Sequence, residues 1–145
     1  MAGYDLVVLD GQEAGAADVR ALRRRGVRVL AYLSVGTIER SRPWYAAARR
    51  YRLELWQEWG EWYADTSAPA FRRLIVRRVA PAMLRKGFDG LFLDNADMVE
   101  DHPRQARGMR TLVAQLARLV QRRRGVLAAQ NGDDSVGRIA RHLDA

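Results

Sequence analysis

The chain has 145 residues, enough for one domain with a substantial core. It contains no cysteine, which excludes disulfides, thiolate catalysis and cysteine-ligated zinc, and its two histidines, His102 and His142, lie too far apart in sequence to read as a ligand pair. The net charge of +8 is carried almost wholly by arginine, and Lys86 is the only lysine; the arginines fall at predicted helix faces and ends with no aromatic-basic interleaving, so nucleic acid is not expected as a partner.

Tyr4-Asp5-Leu6-Val7-Val8-Leu9-Asp10 reads as a first strand, β-branched at its centre, ending in an acid and broken by Gly11. A helix follows from about Glu13 to Arg25, with Val19 and Leu22 inward and arginines at the end where positive charge suits the helix dipole. After Gly26 a second strand, Val27 to Ser34, is nearly continuous in apolar residues and leads into Val35-Gly36, with Thr37 and Glu39 beyond. The segment from Arg40 to Thr66 is the least regular. Pro43 starts a short helix through Tyr51, and all four tryptophans, Trp44, Trp56, Trp59 and Trp62, fall here. Large aromatics bury well, so core is the first assignment for any one tryptophan, while the flat faces of the cluster as a whole also suggest contact with sugar rings.

Ser67 is expected to cap a long helix with Pro69 in its first turn. Phe71, Ile75, Val79 and Met83 form its buried stripe, and Pro81 is expected to kink it or remove a hydrogen bond. Gly87 ends this helix. The third strand, Leu91-Phe92-Leu93, is apolar on both faces, so all three residues are expected to be almost fully buried. It breaks abruptly into Asp94-Asn95-Ala96-Asp97. Another helix runs from about Arg104 to Arg124, Val126 to Gln130 forms a fourth strand, and Asn131-Gly132-Asp133-Asp134 is a turn before a last short helix, about Ser135 to His142. No apolar run approaches the roughly 18 residues needed to cross a membrane, and the N-terminus lacks a basic-then-apolar leader. The expectation is a soluble, cytoplasmic protein without a membrane partner.

Strands alternating with helices imply right-handed crossovers and a parallel sheet in an α/β fold. Each strand carries polar groups at the same end: Asp10; Ser34 with Glu39; Asp94 with Asn95 and Asp97; Gln130 with Asn131 and Asp133. In a parallel sheet those ends converge, which predicts an active-site rim. No glycine-rich dinucleotide loop, phosphate loop or nucleophile elbow follows a strand. Two chemistries remain for such carboxylates and amides: cleavage of a glycosidic bond by a carboxylate pair, or retention of a hard cation by oxygen ligands.

Four segments resemble the glycoside hydrolase family 114 type of barrel, the endo-α-1,4-polygalactosaminidase-like proteins. They are Tyr4 to Asp10; Ala31-Tyr32-Leu33-Ser34-Val35-Gly36 with Glu39, Arg42 and Trp44; Gly87 to Asp97; and Gln130-Asn131-Gly132. The resemblance implies a (β/α)8 TIM-type barrel and hydrolysis of a galactosamine-rich polysaccharide, with no cofactor or metal. It puts Asp94 in the position of the family's catalytic aspartate and Asp133 in that of its second carboxylate, a glutamate there; Glu39 is the alternative partner among the rim acids. Asp10, Tyr32, Ser34, Arg42, Trp44, Asn95, Asp97, Gln130 and Asn131 would contact the sugar. A full barrel takes about 250 residues, so the expected domain, residues 1–145, is an incomplete barrel of about four to five strands. Open sheet edges then favour a homo-oligomer. Enzymes of this kind are often secreted. The alternative to an enzyme is a non-catalytic carbohydrate-binding or degenerate fragment of one.

Overall fold

The computed structural model describes residues 3–131, 137 and 139–144. In chain order its main elements are β1 (Leu6–Asp10), α1 (Ala16–Arg24), β2 (Arg28–Ser34), β3 (Thr37–Ile38), α2 (Tyr45–Ala48), β4 (Arg52–Trp56) and β5 (Glu61–Ala64). These are followed by α3 (Pro69–Leu74), α4 (Ala80–Leu84), β6 (Gly90–Asp94), α5 (Ala106–Gln121) and β7 (Val126–Ala129). Four strands form an all-parallel sheet in the order β1-β2-β6-β7, so the expected β/α frame is present. No helix among the described residues is long and apolar enough to cross a membrane.

Strand alternation sorts the side chains of this sheet onto two faces. Val29, Ala31, Leu33, Leu91, Leu93 and Leu127 meet the helices, where Val19, Phe71, Ile75, Met83, Leu112 and Leu116 complete one continuous core. Full burial of a side chain of this size contributes about 1.5–3 kcal/mol. Leu91 and Leu93 are completely buried, as expected, but Phe92 is not. The register pairs it with Tyr32 and Ala128 on the opposite face, away from the helices, and that face leaves it half-buried.

Local differences from the sequence expectations have physical causes. Ser67 does not cap the helix after it. The residue before α3 is Ala68, without a side-chain cap, because the Ser67 hydroxyl turns back to Asp65 and its N–H is taken by Asp65 (3.1 Å) and Gln105 (2.9 Å). The disturbance expected at Pro81 appears as a π-helical turn, Ile75–Val79, between α3 and α4. Proline has no N–H to offer the carbonyl four residues earlier, and its ring crowds that carbonyl, so a wider turn accommodates it. The tryptophan-rich segment is more regular than its sequence implies. It folds into a small antiparallel sheet, β3-β5-β4. Gly60, at φ +65°, makes the reversal between β4 and β5 in a conformation that L-residues with a Cβ avoid.

Candidate active site

Parallel pairing brings the carboxyl ends of the strands together. Asp10 is level with Tyr32, Ser34 with Asp94, and Gln130 follows directly on β7, its N–H bonded to the Leu93 carbonyl (3.1 Å). Asp10 and Asp94 therefore share one end of the sheet, as the sequence predicts. Asp133 lies outside the described residues.

Asp94 is buried, and both of its carboxyl oxygens accept hydrogen bonds. The Tyr32 hydroxyl donates to Oδ2 (2.6 Å), and the Asn95 N–H donates to Oδ1 (2.8 Å). Burial pushes the Tyr32 phenol well above its usual range, and the hydrogen bond to Asp94 and that residue's charge push it further. The hydroxyl thus remains a donor throughout the pH range in which proteins work. Asn95 follows in a left-handed conformation, φ +58°, which asparagine tolerates better than most residues. Its amide donates to the hydroxyls of Ser34 (2.9 Å) and Thr37 (3.3 Å), which bond each other at 2.6 Å. Ser34, expected to touch sugar, is buried and instead anchors the turn that carries Asp94. Gly36 permits this arrangement, since a Cβ there would lie 1.9 Å from the Asn95 carbonyl oxygen.

Three further predicted residues converge in an ion triad. Arg42 donates to Asp10 Oδ2 and to Glu39 Oε1, both at 2.7 Å. Burial works to raise the Asp10 carboxyl, but the hydrogen bonds from Arg42 and from the Glu13 and Gln12 N–H groups, with the Arg42 charge, outweigh it and hold it below its ordinary value. Burial likewise works against the Arg42 charge, and the bonds to Glu39 and Asp10 reverse this and raise its pKa. Glu39 is therefore committed to an arginine.

A cavity of about 260 Å³ opens beside Asp94, lined by Tyr32, Trp56, Trp59, Glu61, Asn95, Gln130 and Asn131. Five predicted residues besides the two aromatics of β4 and its turn and Glu61 thus meet there: Asp94, Tyr32, Asn95, Gln130 and Asn131. Trp44 does not; only 6% exposed, it belongs to the core. Asp97 sits one turn past Asp94 and is half-buried, its carboxyl raised by burial and by the charges of Asp94, Glu100 and Asp101. Trp62 is occupied elsewhere, beneath the guanidinium groups of Arg52 (4.6 Å) and Arg40 (5.5 Å). Trp56 stacks on Tyr63 at 5.2 Å, and Trp59 meets its edge at 6.2 Å.

Glu61 is the residue that the sequence reading missed. It pairs with Trp56 at the start of β5, and the β3-β5-β4 sheet delivers it to the rim. Burial raises its carboxyl first; the Thr37 hydroxyl and Arg42 oppose that, and Glu39 and Asp94 add to it. The available sequence signal was the alternation of Leu53 and Leu55 with charged residues before a glycine turn.

A larger depression, about 610 Å³, lies at the opposite, amino end of the sheet, where Arg23, Arg28, Arg123 and Arg124 surround Asp89. Asp89 is occupied there by Arg23 (2.9 Å) and the Val29 N–H (2.9 Å), which leaves no free acid or base for catalysis. Among the described residues no group of three or more histidine, aspartate or glutamate side chains is arranged to hold a metal ion.

Comparison with known proteins agrees with this architecture. The glycoside hydrolase domain of PelA from Pseudomonas aeruginosa superposes with a TM-score of 0.80 at 28% identity, covering 97% of this chain and 58% of that domain. Aspergillus fumigatus Ega3, solved with galactosamine, superposes at 0.83 with 22% identity, covering 96% of this chain and 57% of Ega3. An α-galactosidase from Thermus thermophilus gives 0.63 at 17% identity over 86% of this chain and 30% of its own. The chain thus corresponds to part of a TIM-barrel hydrolase domain, spanning less than three fifths of PelA's domain or Ega3. No curated protein matches it. The match to glycoside-hydrolase family GH114 runs over residues 1–145, and the chain belongs to that family.

Proposed function

We propose that this rim binds and cleaves an α-1,4-linked, galactosamine-rich polysaccharide, with Asp94 as the carboxylate at the reacting carbon. The observation that carries the reading is the placement of Asp94 in a family GH114 chain: at a strand's carboxyl end, hydrogen-bonded on both oxygens, in a cavity walled by Trp56 and Trp59. A carboxylate held in this way stabilises the positive charge that develops on the sugar, or attacks its anomeric carbon, while a second carboxyl gives its proton to the departing glycosidic oxygen. Asp133 is the partner that family resemblance supplies, and Gln130 and Asn131, which precede it, already line the cavity. The arginine bound to Glu39 makes that residue the poorer partner. Ega3 was solved with galactosamine, which supports an amino sugar as the ligand class.

The test is release of reducing ends from partially deacetylated polygalactosamine by the wild-type chain and by Asp94→Asn. The amide keeps the shape but neither attacks nor stabilises charge as a carboxylate does, so turnover should vanish while the melting curve stays close to that of the parent. Undiminished turnover in Asp94→Asn would overturn the assignment. Binding by the wild type without any release would instead identify a carbohydrate-binding protein on a hydrolase fold.

A further inference from the structure

Building on the amino-polysaccharide reading, we propose that Glu61 makes the site selective for a sugar ring bearing a free ammonium over its N-acetylated counterpart, its carboxylate receiving the ammonium of a ring held against Trp56 and Trp59.

Three independent features point to Glu61. First, Glu61 and Asp94 are the two carboxylates among the described residues that line the cavity, and Asp94 is already occupied by Tyr32 and Asn95. Second, no ion pair to Glu61 exists among the described residues. Arg42, the cation whose charge reaches it, has its arms on Asp10 and Glu39 at 2.7 Å each, and the charges of Glu39 and Asp94 add to a negative potential. A half-buried carboxylate in that setting lacks a counter-cation, and an ammonium from the ligand would supply one. Third, the adjoining wall is aromatic. Trp56 is fixed by its stack on Tyr63, and Trp59 stands 64% exposed at the hairpin turn. Such faces take the apolar side of a sugar ring and attract a nearby cation. N-acetylation removes the charge and would leave Glu61 desolvated with the Thr37 hydroxyl but no cation to meet it, which is a penalty against the wrong ligand as well as a gain for the right one.

The experiment is a calorimetric titration of the whole chain with two probes of equal length, an α-1,4-galactosamine oligosaccharide and its fully N-acetylated form. The wild type should prefer the cationic probe by about tenfold or more, the range of a charge-assisted hydrogen bond. Glu61→Gln should lose that preference while binding the acetylated probe within about twofold of the wild type, and Glu61→Asp should recover part of it. The wild-type preference should also shrink as salt is raised. If Glu61→Gln fails to fold, Glu61→Asp and the salt series still decide the matter. A Glu61→Gln variant that keeps the preference, or that weakens both probes equally, overturns the role of Glu61 alone. A wild type that binds neither probe overturns the amino-polysaccharide reading on which it rests.

Discussion

Gly36→Ala tests whether the geometry of the rim is as tight as the structure describes. The new methyl would lie 1.9 Å from the Asn95 carbonyl oxygen and 2.7 Å from Met98 Cγ, where ordinary contact begins at 3.4 Å. The side chain of Met98 can swing aside, but the Asn95 carbonyl is backbone and must retreat by about 1.5 Å. Overpacking of this kind costs about 1–3 kcal/mol, and a backbone obstacle places the change at the upper end, about 3 kcal/mol. For a domain of this size that corresponds to a drop of about 10 °C in melting temperature. The damage should be directional. The Gly36 carbonyl accepts the Ala64 N–H (2.9 Å), and Asn95 supplies a hydrogen bond to Asp94, so both walls of the cavity move with it. Gly60→Ala is the matched control. Nothing lies within 4 Å of a Cβ there, and only the positive φ resists, at about 1 kcal/mol. Thermal unfolding of the two variants with oligosaccharide titration is the assay. If Gly36→Ala melts within a degree or two of the parent, the approach of the two strand ends is wrong, and the site built on it fails with it.

Leu91→Ala should cost about 2–5 kcal/mol, because the side chain is completely enclosed in the core, and Phe92→Ala should cost less than Leu91→Ala despite its larger side chain. Denaturant unfolding of the pair checks this, and the reverse order would mean that Phe92 faces the helices. Asp10→Asn should cost about 1–2 kcal/mol at pH 7. Because the folded carboxyl is held below its ordinary value, that cost is present above the unfolded pKa and should fade as pH drops through the folded one, whereas a pH-independent cost would show that the Arg42 contact does not tune Asp10. Glu61→Gln should show the opposite sign: the folded carboxyl is raised, so its favourable contribution is lost as pH rises, and the variant should gain on the wild type in going from pH 4 to pH 7. A parallel pair of stability-pH curves would refute it.

The sheet was legible because its signals are local. β2 and β6 are nearly unbroken apolar runs bounded by glycine, and every strand of the parallel sheet is followed by a polar group, so the convergence of Asp10, Asp94 and Gln130 needed only the rule that β/α repeats run parallel. Phe92 was misjudged because a run apolar at every position does not say which face the helices cover. Trp44 was misjudged because an aromatic near a rim looks the same in sequence whether it faces the core or the cavity. Glu61 was missed for another reason: the alternation around Leu53 and Leu55 marks a hairpin at most, and only the pairing of β5 with β3 and the bond from Ala64 to Gly36 carry Glu61 back to the end of β2. Those contacts are long-range, and no window of the sequence contains them.

The distribution of charge explains how a chain with net charge +8 can present a site suited to a cationic polymer. Arg23 lies in the last turn of α1, and Arg123 and Arg124 follow just after α5. Helix carbonyl ends favour positive charge, so the rule that places arginine there is a matter of helix stability. In a β/α repeat each helix ends where the next strand begins, so those arginines collect with Arg28 at the amino end of the sheet. The acids Asp10, Glu39, Glu61 and Asp94 collect at the other end, where Arg42 is already engaged by two of them. The topology therefore separates charge along the strand axis, and net charge is a poor guide to what approaches the rim. Within a partly closed, aromatic-walled cavity the local acids set the potential, and it is to that potential that a polyammonium chain would respond.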